Sequence, residues 1–414
     1  MQDFLHYLWG PFAFIRVNLR AKSAVICGKP LYYLRETFVF LDFTHCNPNF
    51  PEVKHKDEID LSHSEFLTLD RDYASAAKAV DLLYVKDNVV GISRKAARKG
   101  FTYSYKSKAI ADKKTLERIK KLAIPPAWAK VWICPKPTGH VQATGIDERD
   151  RKQYRYHTQW NKVRSETKFH RLFEFGKALP TLRLQLEKDI STESLSQRKV
   201  LAAVILLMER TYIRVGNYGY EKMNGSYGLT TLKDKHVVIK QGEMNFAFKG
   251  KKGVHHKISL MNKKLAKVVK ECRDIPGEEL FQYYGADGKR RDIDSGDVNQ
   301  YIKEASGMDF SAKDFRLWAG SLNILRSFKS MGQALNATVC KQNVLRALDE
   351  VSAKLGNTRI VCRKYYVHPG LIRLYEENNL EKYLKHLDKL EGSYGKSGLT
   401  GEETVLMRIL KGFH

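Results

Sequence analysis

The chain has 414 residues, and its 72 Lys and Arg residues against 46 Asp and Glu residues give a formal net charge of +26. Hydrophobic residues make up 43% of the sequence, which is typical of a folded globular protein and excludes a disordered one. Because the basic residues are spread along the chain, the charge predicts a polyanionic partner, and nucleic acid is the first candidate. An unrelated basic enzyme and a membrane-surface protein are the alternatives.

The six cysteines form no CxxC pair and have no metal-ligand spacing with histidine. This pattern predicts reduced thiols in a cytoplasmic protein and no metal site. No segment reaches the roughly 18 consecutive apolar residues of a membrane span. The apolar start of the chain lacks a basic region and is interrupted by Pro11 and Arg16, so we expect no secretory signal.

Residues 1–75 differ in character from the rest, with many Phe, Leu and His residues and weak periodicity. Three interpretations stay open: a small accessory layer, a poorly ordered extension, or upstream sequence included by a misplaced start codon. We treat this stretch as an N-terminal extension of unknown role.

Residues 76–160 have the pattern of a small mixed sheet with few helices. Strands are predicted near 84–92 and 101–105, and a hairpin near 131–144. A helix over 113–122 is ended by two consecutive prolines.

The segment 147–157 closes this β-rich part, and its basic side chains alternate with planar ones. That mixture suits phosphate contacts combined with stacking or contacts to base edges. Gln153 is a candidate base reader, because glutamine can bind the edge of adenine. The alternative is a solvated basic strand in which Tyr154 and Tyr156 are core residues.

From Trp160 onward, helical spacing dominates. A helix over 199–212 places its apolar residues on one face and is expected to end close to Gly216. Arg214 follows the apolar stripe, where it can serve a site or form a surface ion pair.

A strand is predicted over 228–238, and a hairpin over 244–258. Gly250 and Gly253 bracket two lysines at the hairpin tip. An ordinary exposed turn is the usual interpretation of such lysines. A rigid strand pair can nevertheless carry Lys251 into a groove.

Two further helices are predicted late in the chain. Ser311 or Asp314 can cap the first, with Arg316 in its first turn. The second covers about 335–355, and Gly356 is its expected C-terminal stop.

Asn357 lies at the junction that follows, and Thr358 can cap a short helix leading to Tyr365 and Tyr366. A phenol has a reference pKa near 10, so about one in a thousand is ionised at neutral pH. The preceding Arg363 and Lys364 favour the phenolate. A tyrosine in this setting is either a nucleophile or a structural aromatic.

Taken together, Arg214, Lys251, Arg316, Asn357 and Tyr366 form a set that resembles the type IB DNA topoisomerases, most closely the compact bacterial and poxvirus-like branch. The resemblance covers about residue 76 to near the end of the chain. The motifs that carry it are residues 122–128, 139–144, 151–157, 212–217, the Lys251 hairpin, 314–318, 355–358 and 363–369.

The resemblance implies an α+β fold in which a small β-rich N-terminal domain, 76–160, precedes a larger, mainly α-helical catalytic domain, 161–414. The two domains would form a clamp around duplex DNA. The implied protein is a monomer on double-stranded DNA in the bacterial cytoplasm, at the nucleoid, and needs neither ATP nor a metal or other cofactor.

The resemblance also implies a mechanism. Tyr366 would attack a backbone phosphodiester, form a 3′-phosphotyrosyl link and free a 5′-hydroxyl, which reseals the nick after the DNA has rotated. Tyr365 is the competing candidate, and spacing from Asn357 and from residues 368–369 selects Tyr366.

Each remaining residue of the set acquires an expected role. Guanidinium groups match the geometry of phosphoryl oxygens, which suits Arg214 and Arg316. Lys251 is the expected general acid for the 5′ leaving oxygen, and the Phe-Lys-Gly-Lys frame selects it over its neighbour. Asn357 departs from the histidine of many relatives but keeps a hydrogen-bond donor.

Four further residues match DNA-contacting positions of the family: Gln153, Tyr154 and Tyr156 in the β-rich domain, and Tyr220 at a phosphate. Two other functions stay in competition. A tyrosine site-specific recombinase shares the catalytic set, although its N-terminal domain is usually helical. A non-enzymatic basic DNA-binding protein would explain the charge alone.

Overall fold

A computed structural model describes residues 25–26, 29–30, 61–98, 100–148, 150–390 and 398–413 of the chain. Contacts divide the chain into two units, Met1–Glu58 and Ile59–His414. In the first unit, strand β1 (Val25–Ile26) pairs antiparallel with strand β2 (Lys29–Pro30). Most of the predicted extension over residues 1–75 lies outside the described residues.

The second unit begins with two short helices, α1 (His63–Arg71) and α2 (Tyr73–Lys78). Ser62 and Glu65 form a capping box at the start of α1. The Asp72 carboxylate accepts hydrogen bonds from two backbone N–H groups of α2, so one residue ends the first helix and begins the second.

Six strands and one helix follow. They are β3 (Ile92–Ala97), β4 (Gly100–Tyr105), β5 (Lys108–Ala109), α3 (Lys113–Lys121), β6 (Ala129–Ile133), β7 (Val141–Ile146) and β8 (Lys152–Tyr156). The strands form one antiparallel sheet in the order β5-β4-β3-β6-β7-β8. Ile119 of α3 packs against the buried face of this sheet, so the sheet and helix share a small core.

The chain is mainly helical after the sheet. Its helices are α4 (Thr158–Ile190), α5 (Gln197–Thr211), α6 (Tyr218–Asn224), α7 (Lys263–Arg273), α8 (Ser295–Ser306), α9 (Ala312–Met331), α10 (Ala337–Leu355), α11 (Arg359–Tyr365), α12 (Pro369–Glu376), α13 (Glu381–Leu390) and α14 (Gly401–Lys411). Apolar side chains from most of these helices form one continuous core.

Two small sheets lie among the helices. Their strands are β9 (Val237–Lys240), β10 (Glu243–Lys249), β11 (His255–Met261), β12 (Gln282–Tyr284) and β13 (Arg290–Asp292). β9, β10 and β11 pair antiparallel, with β10 in the centre, and β12 pairs with β13. The predicted hairpin over 244–258 is therefore present as β10 and β11.

The predicted strand over 228–238 is wrong for most of its length. Leu229–Thr231 is a turn of 3-10 helix, and β9 begins only at residue 237. The N–H groups of Leu229 and Thr230 donate to the carbonyls of Arg214 and Val215, at 2.8 and 2.6 Å. This loop is thus bound to the segment that carries Arg214 instead of to a neighbouring strand.

The α+β class is confirmed, with a sheet-rich part before α4 and mainly helices after it. The proposed boundaries at residues 76 and 161 stay predictions. Among the helices that the structure describes, none combines the length and apolar character needed to cross a bilayer.

Candidate active site

Arg316 lies near the start of α9. Ser311 precedes this helix and Asp314 sits in its first turn, so both predicted cap residues take part in the capping box. Arg316 is the fifth residue of α9, just beyond the predicted first turn, and only 6% of it is exposed. Its guanidinium donates to the carbonyls of Tyr212 (2.5 Å) and Leu355 (2.8 Å). Backbone carbonyls of two separate segments therefore fix its orientation.

The end of α5 turns one of those carbonyls toward Arg316. The helix stops at Thr211, earlier than the predicted end near Gly216, because Tyr212 takes the left-handed conformation with φ of 58°. Left-handed geometry costs a non-glycine residue about 1–2 kcal/mol. Here it directs the Tyr212 carbonyl to the Arg316 guanidinium, and that bond helps to hold the turn.

Arg214 follows this turn and reaches the C-terminal end of α10. Gly356, with φ of 57°, ends α10 as predicted. One Nη of Arg214 donates to the Gly356 carbonyl at 3.1 Å and to the Asn357 Oδ1 at 2.5 Å. The structure thus brings Arg214 and Asn357 into direct contact.

Arg214 and Arg316 lie close together, and neither has a carboxylate partner among the described residues. Burial, followed by the charge of Arg316, lowers the pKa of Arg214 to about 10. Burial also lowers the pKa of Arg316, and only Tyr366 and Cys362 oppose this effect. A buried and a half-buried cation that repel each other create a strong preference for an anion.

Two donors at the same place lack an oxygen or nitrogen acceptor. Arg316 Nε and Asn357 Nδ2 are buried without a hydrogen-bond partner among the described residues, and the Asn357 amide has only the weakly interacting thiol of Cys362 beside it. Buried donors without acceptors are costly. Together with the arginine pair, they suit an oxyanion with several oxygens, such as a phosphodiester.

Tyr366 directly follows α11, which Thr358 caps as predicted. Its ring centroid lies 5.2 Å from the Arg316 guanidinium, so the two side chains are in contact. Its backbone packs on Gly320 of α9, where an added Cβ would lie 2.4 Å from the Tyr366 carbonyl oxygen. This glycine lets the end of α11 approach α9 closely enough for the phenol to reach Arg316.

Tyr365 has different surroundings. It is 48% exposed, and the ammonium groups of Lys168 and Lys364 lie 5.2 and 5.4 Å from its ring centroid. Lys168 also donates to the Lys364 carbonyl at 3.0 Å, which ties α11 to α4. Of the two tyrosines, only Tyr366 contacts Arg316 among the described residues, and its choice as the nucleophile stays a prediction.

Lys251 is the one member of the predicted set that stands apart. It lies in a short 3-10 turn, Lys251–Gly253, at the exposed tip of the β10–β11 hairpin. Its ammonium is 5.4 Å from the Tyr220 ring centroid. Lys251 and Tyr220 line a cavity of about 720 Å³ together with Arg214 and Arg151. The structure therefore places Lys251 in the same cavity as Arg214, and no contact between Lys251 and Tyr366 is present among the described residues.

The predicted DNA-contacting residues of β8 divide between two faces. Tyr154 and Tyr156 stack with centroids 5.7 Å apart and project to the exposed face. Gln153 lies on the opposite, half-buried face, where its amide donates to Asp147 at 2.9 Å. Asp147 also binds Arg151 at 2.7 Å, so one carboxylate holds both Gln153 and Arg151.

The structure adds two residues that the sequence does not single out. Arg151 of the β7–β8 turn lies beside Tyr220 of α6, with which it lines the same cavity, and so brings the sheet next to the helical part. His256 of β11 lies against Gly250 and Gly356, which are far apart in the chain. In the sequence, the only hint of a role for His256 is that a glycine directly precedes both Lys251 and Asn357. No pattern in the sequence predicts that Arg151 lies beside Tyr220.

The sequence was compared with known proteins. Residues 157–392 match the family model described as the catalytic core of eukaryotic DNA topoisomerase I, and residues 100–147 match that of the N-terminal domain of bacterial DNA topoisomerase IB. These two matches define the class as a DNA topoisomerase with a bacterial type of N-terminal domain.

Relatives from viruses agree with this class. The chain is 32% identical to DNA topoisomerase 1B of Acanthamoeba polyphaga mimivirus over 304 residues, covering 72% of this chain and 90% of the viral protein. It is 23% identical over 240 residues to DNA topoisomerase 1B of vaccinia virus (strain Copenhagen), covering 57% and 72%. The chain belongs to the type IB DNA topoisomerase family, which confirms the resemblance inferred from the motifs.

Proposed function

We propose that this protein relaxes supercoiled DNA by cutting one strand with Tyr366, letting the DNA rotate, and resealing the strand. Membership of the type IB family supports this activity over that of a recombinase or a passive DNA-binding protein. The observation that carries the assignment is the phenol of Tyr366 beside the buried Arg316 and the half-buried Arg214, neither of which has a carboxylate partner among the described residues.

In the cleavage step, the Tyr366 phenol gives its proton to water and its oxygen bonds to the phosphorus, while the bond from phosphorus to the 5′ oxygen breaks. Arg214 and Arg316 neutralise the charge that grows on the nonbridging oxygens, and Asn357 Nδ2 donates to one of them. The product is a 3′-phosphotyrosyl link.

Lys251 serves the leaving oxygen. It donates a proton as the 5′ oxygen departs, and takes one back when the 5′-hydroxyl attacks the link during religation. A lysine at the tip of a hairpin is well placed for this role, since the rigid β10–β11 pair holds it at the edge of the cavity beside Arg214. One phosphodiester is exchanged for another, so the reaction needs no ATP.

Duplex DNA is held between the sheet and the helical part in this proposal. The net charge of +26 and the stacked Tyr154 and Tyr156 support DNA binding by the sheet, while Gln153, bonded to Asp147 on the other face of β8, stays a predicted contact. Tyr220 supplies a phosphate contact from the helical side. We propose a monomeric clamp that acts on chromosomal DNA in a bacterial cytoplasm.

The direct test is relaxation of a supercoiled plasmid without any special sequence, in EDTA and without ATP. Positively and negatively supercoiled plasmids should both be relaxed. A recombinase would instead require its own target sequence, and a DNA-compacting protein would leave the linking number unchanged once removed.

Mapping the covalent complex tests the nucleophile. Tyr366→Phe should keep salt-dependent DNA binding and lose both relaxation and the covalent adduct, whereas Tyr365→Phe should keep all three. Relaxation by Tyr366→Phe together with an inactive Tyr365→Phe would refute the assignment.

A further inference from the structure

His256 lies between the hairpin turn that carries Lys251 and the C-terminal end of α10. Its ring stacks on Phe248 of β10, with centroids 5.0 Å apart and planes at 21°. On one side lies Gly250, where an added Cβ would be 2.6 Å from the ring. On another lies Gly356, where an added Cβ would be 2.4 Å from it. The ring therefore packs directly on the backbone of both glycines.

Each of these glycines adjoins a residue of the proposed chemistry. Gly250 precedes Lys251, and its N–H donates to the Val254 carbonyl to close the hairpin turn. Gly356 precedes Asn357, and its carbonyl accepts from Arg214. The imidazole thus lies against both Gly250 and Gly356.

The charge around His256 disfavours imidazolium. Burial, then the charges of Arg214 and Arg316, lower its pKa. A third cation beside the two arginines is unfavourable. The neutral ring can fill the space between the two backbones without adding charge to the phosphate site.

We propose that His256 is a positioning residue that sets the distance between the Lys251 turn and the Arg214–Asn357 pair. This inference rests on the proposed role of Lys251 as general acid. Its shape is what matters: a flat ring held on Phe248 keeps the hairpin tip from moving toward or away from the end of α10. Misplacing a catalytic group by about 1 Å can cost on the order of 10²-fold in rate.

The test compares cleavage of two oligonucleotide duplexes. One carries an ordinary phosphodiester, and the other carries sulfur in place of the bridging 5′ oxygen, a leaving group that needs no general acid. Lys251→Ala should slow the first by about 10²–10⁴-fold and the second far less. His256→Ala should slow the first by about 10²-fold and leave the second near the wild-type rate.

Two further variants complete the design. The double variant Lys251→Ala, His256→Ala should be no slower than Lys251→Ala alone, because a misplaced lysine and an absent one lose the same function. His256→Phe keeps a flat ring and should restore most of the rate. His255→Ala is the matched control, since that neighbour is exposed on the other face of β11 and should not affect either substrate.

Several outcomes would overturn the inference. Equal slowing of both duplexes by a folded His256→Ala would show that His256 supports phosphate binding or the fold instead of Lys251. A His256→Phe variant as slow as His256→Ala would show that the imidazole acts chemically. If Lys251→Ala itself slowed both duplexes equally, the proposed general acid would fail, and the role of His256 with it.

Discussion

At the scale of single residues, the side-chain amide of Asn357 has two tasks. One of its polar atoms binds the protein, and the other is available to the proposed substrate. Its Oδ1 accepts from Arg214 at 2.5 Å, while its Nδ2 has no oxygen or nitrogen acceptor among the described residues. The side chain therefore keeps an arginine in place with one atom and has a donor left for a phosphoryl oxygen.

Replacing Asn357 with aspartate separates these two tasks. The variant keeps the acceptor for Arg214 but substitutes an anionic oxygen for the donor. We expect the rate of single-turnover cleavage to fall by about 10²–10³-fold, as for the loss of an oxyanion-hole donor. Asn357→His, which retains a donor, should lose much less. Equal rates for the aspartate variant and wild type would exclude Asn357 from phosphate binding.

Most of the candidate site could be predicted at this scale because its residues lie next to capping signals. Thr358, Gly356 and Ser311 are recognisable helix ends, and they place Tyr366, Asn357 and Arg316. The contact between Arg214 and Asn357 could not be derived from spacing alone, since 143 positions separate them. Only the resemblance to a family brought them together before the structure did.

At the scale of elements, the packing of α11 on α9 determines where the proposed nucleophile lies. Gly320 is the contact point, because any side chain there would meet the backbone of Tyr366. Lys168 holds the other side of α11 through the Lys364 carbonyl. The short helix is thus fixed from two directions.

Gly320→Ala should push the end of α11 away from Arg316. An added Cβ would lie 2.4 Å from the Tyr366 carbonyl oxygen, so the backbone must shift. We expect cleavage and religation to slow together by about 10²-fold, with DNA binding retained. Ala319→Gly, at the neighbouring position of the same helix, controls for the effect of helix propensity. Unchanged rates in Gly320→Ala would show that α11 can adjust without loss.

The elements that the sequence mispredicted share one cause. The segment 228–238 contains threonines and apolar residues that favour a strand, yet the N–H groups of Leu229 and Thr230 bind the loop of Arg214. Helix α5 ends at Thr211, although Gly216 offered the better stop signal. In both cases a hydrogen bond to a residue elsewhere in the chain determines the backbone conformation. Local propensity carries no information about such a bond.

At the scale of the whole molecule, the contact between Arg151 and Tyr220 joins the sheet to the helical part at the edge of the cavity. Arg151 is held by Asp147, which leaves it oriented but still accessible at the cavity. If duplex DNA occupies this space, Arg151 meets its backbone.

Arg151→Ala should therefore change the salt dependence of DNA binding. Each phosphate contact contributes about 0.9 to the slope of log K against log salt concentration, so the slope should fall by about that amount. Affinity should weaken equally for unrelated sequences, because phosphates carry no sequence information. Lys385→Ala, in an exposed ion pair on α13, provides a control of equal charge change. An unchanged slope would place Arg151 outside the DNA interface.

Acid should destabilise the molecule through the packing of α1 on α4. His63 Nδ1 and His170 Nδ1 lie 3.1 Å apart, and burial, with the neighbouring His63 as the second cause, lowers the pKa of His170 to about 4. The unfolded chain binds this proton near pH 6.5, while the folded chain does not until about pH 4, so stability falls as the pH drops between these values.

His170→Phe should weaken that pH dependence while keeping the stack on Phe66. Urea unfolding of both proteins from pH 7 to pH 4 measures it, and the wild type should lose more stability over this interval. Parallel curves for the two proteins would contradict the assignment.

The crowding of Arg214 and Arg316 has a consequence for engineering. Their mutual repulsion lowers the free energy of unfolding of the free enzyme, and a bound phosphodiester relieves it. A substitution of Arg214 or Arg316 that removed this repulsion would make the enzyme more heat-resistant. The same substitution would remove part of the attraction for DNA. Thermostable variants should therefore be sought by substitutions away from this pair. In a library selected for heat tolerance alone, we expect substitutions of Arg214 and Arg316 to accumulate and to yield inactive proteins.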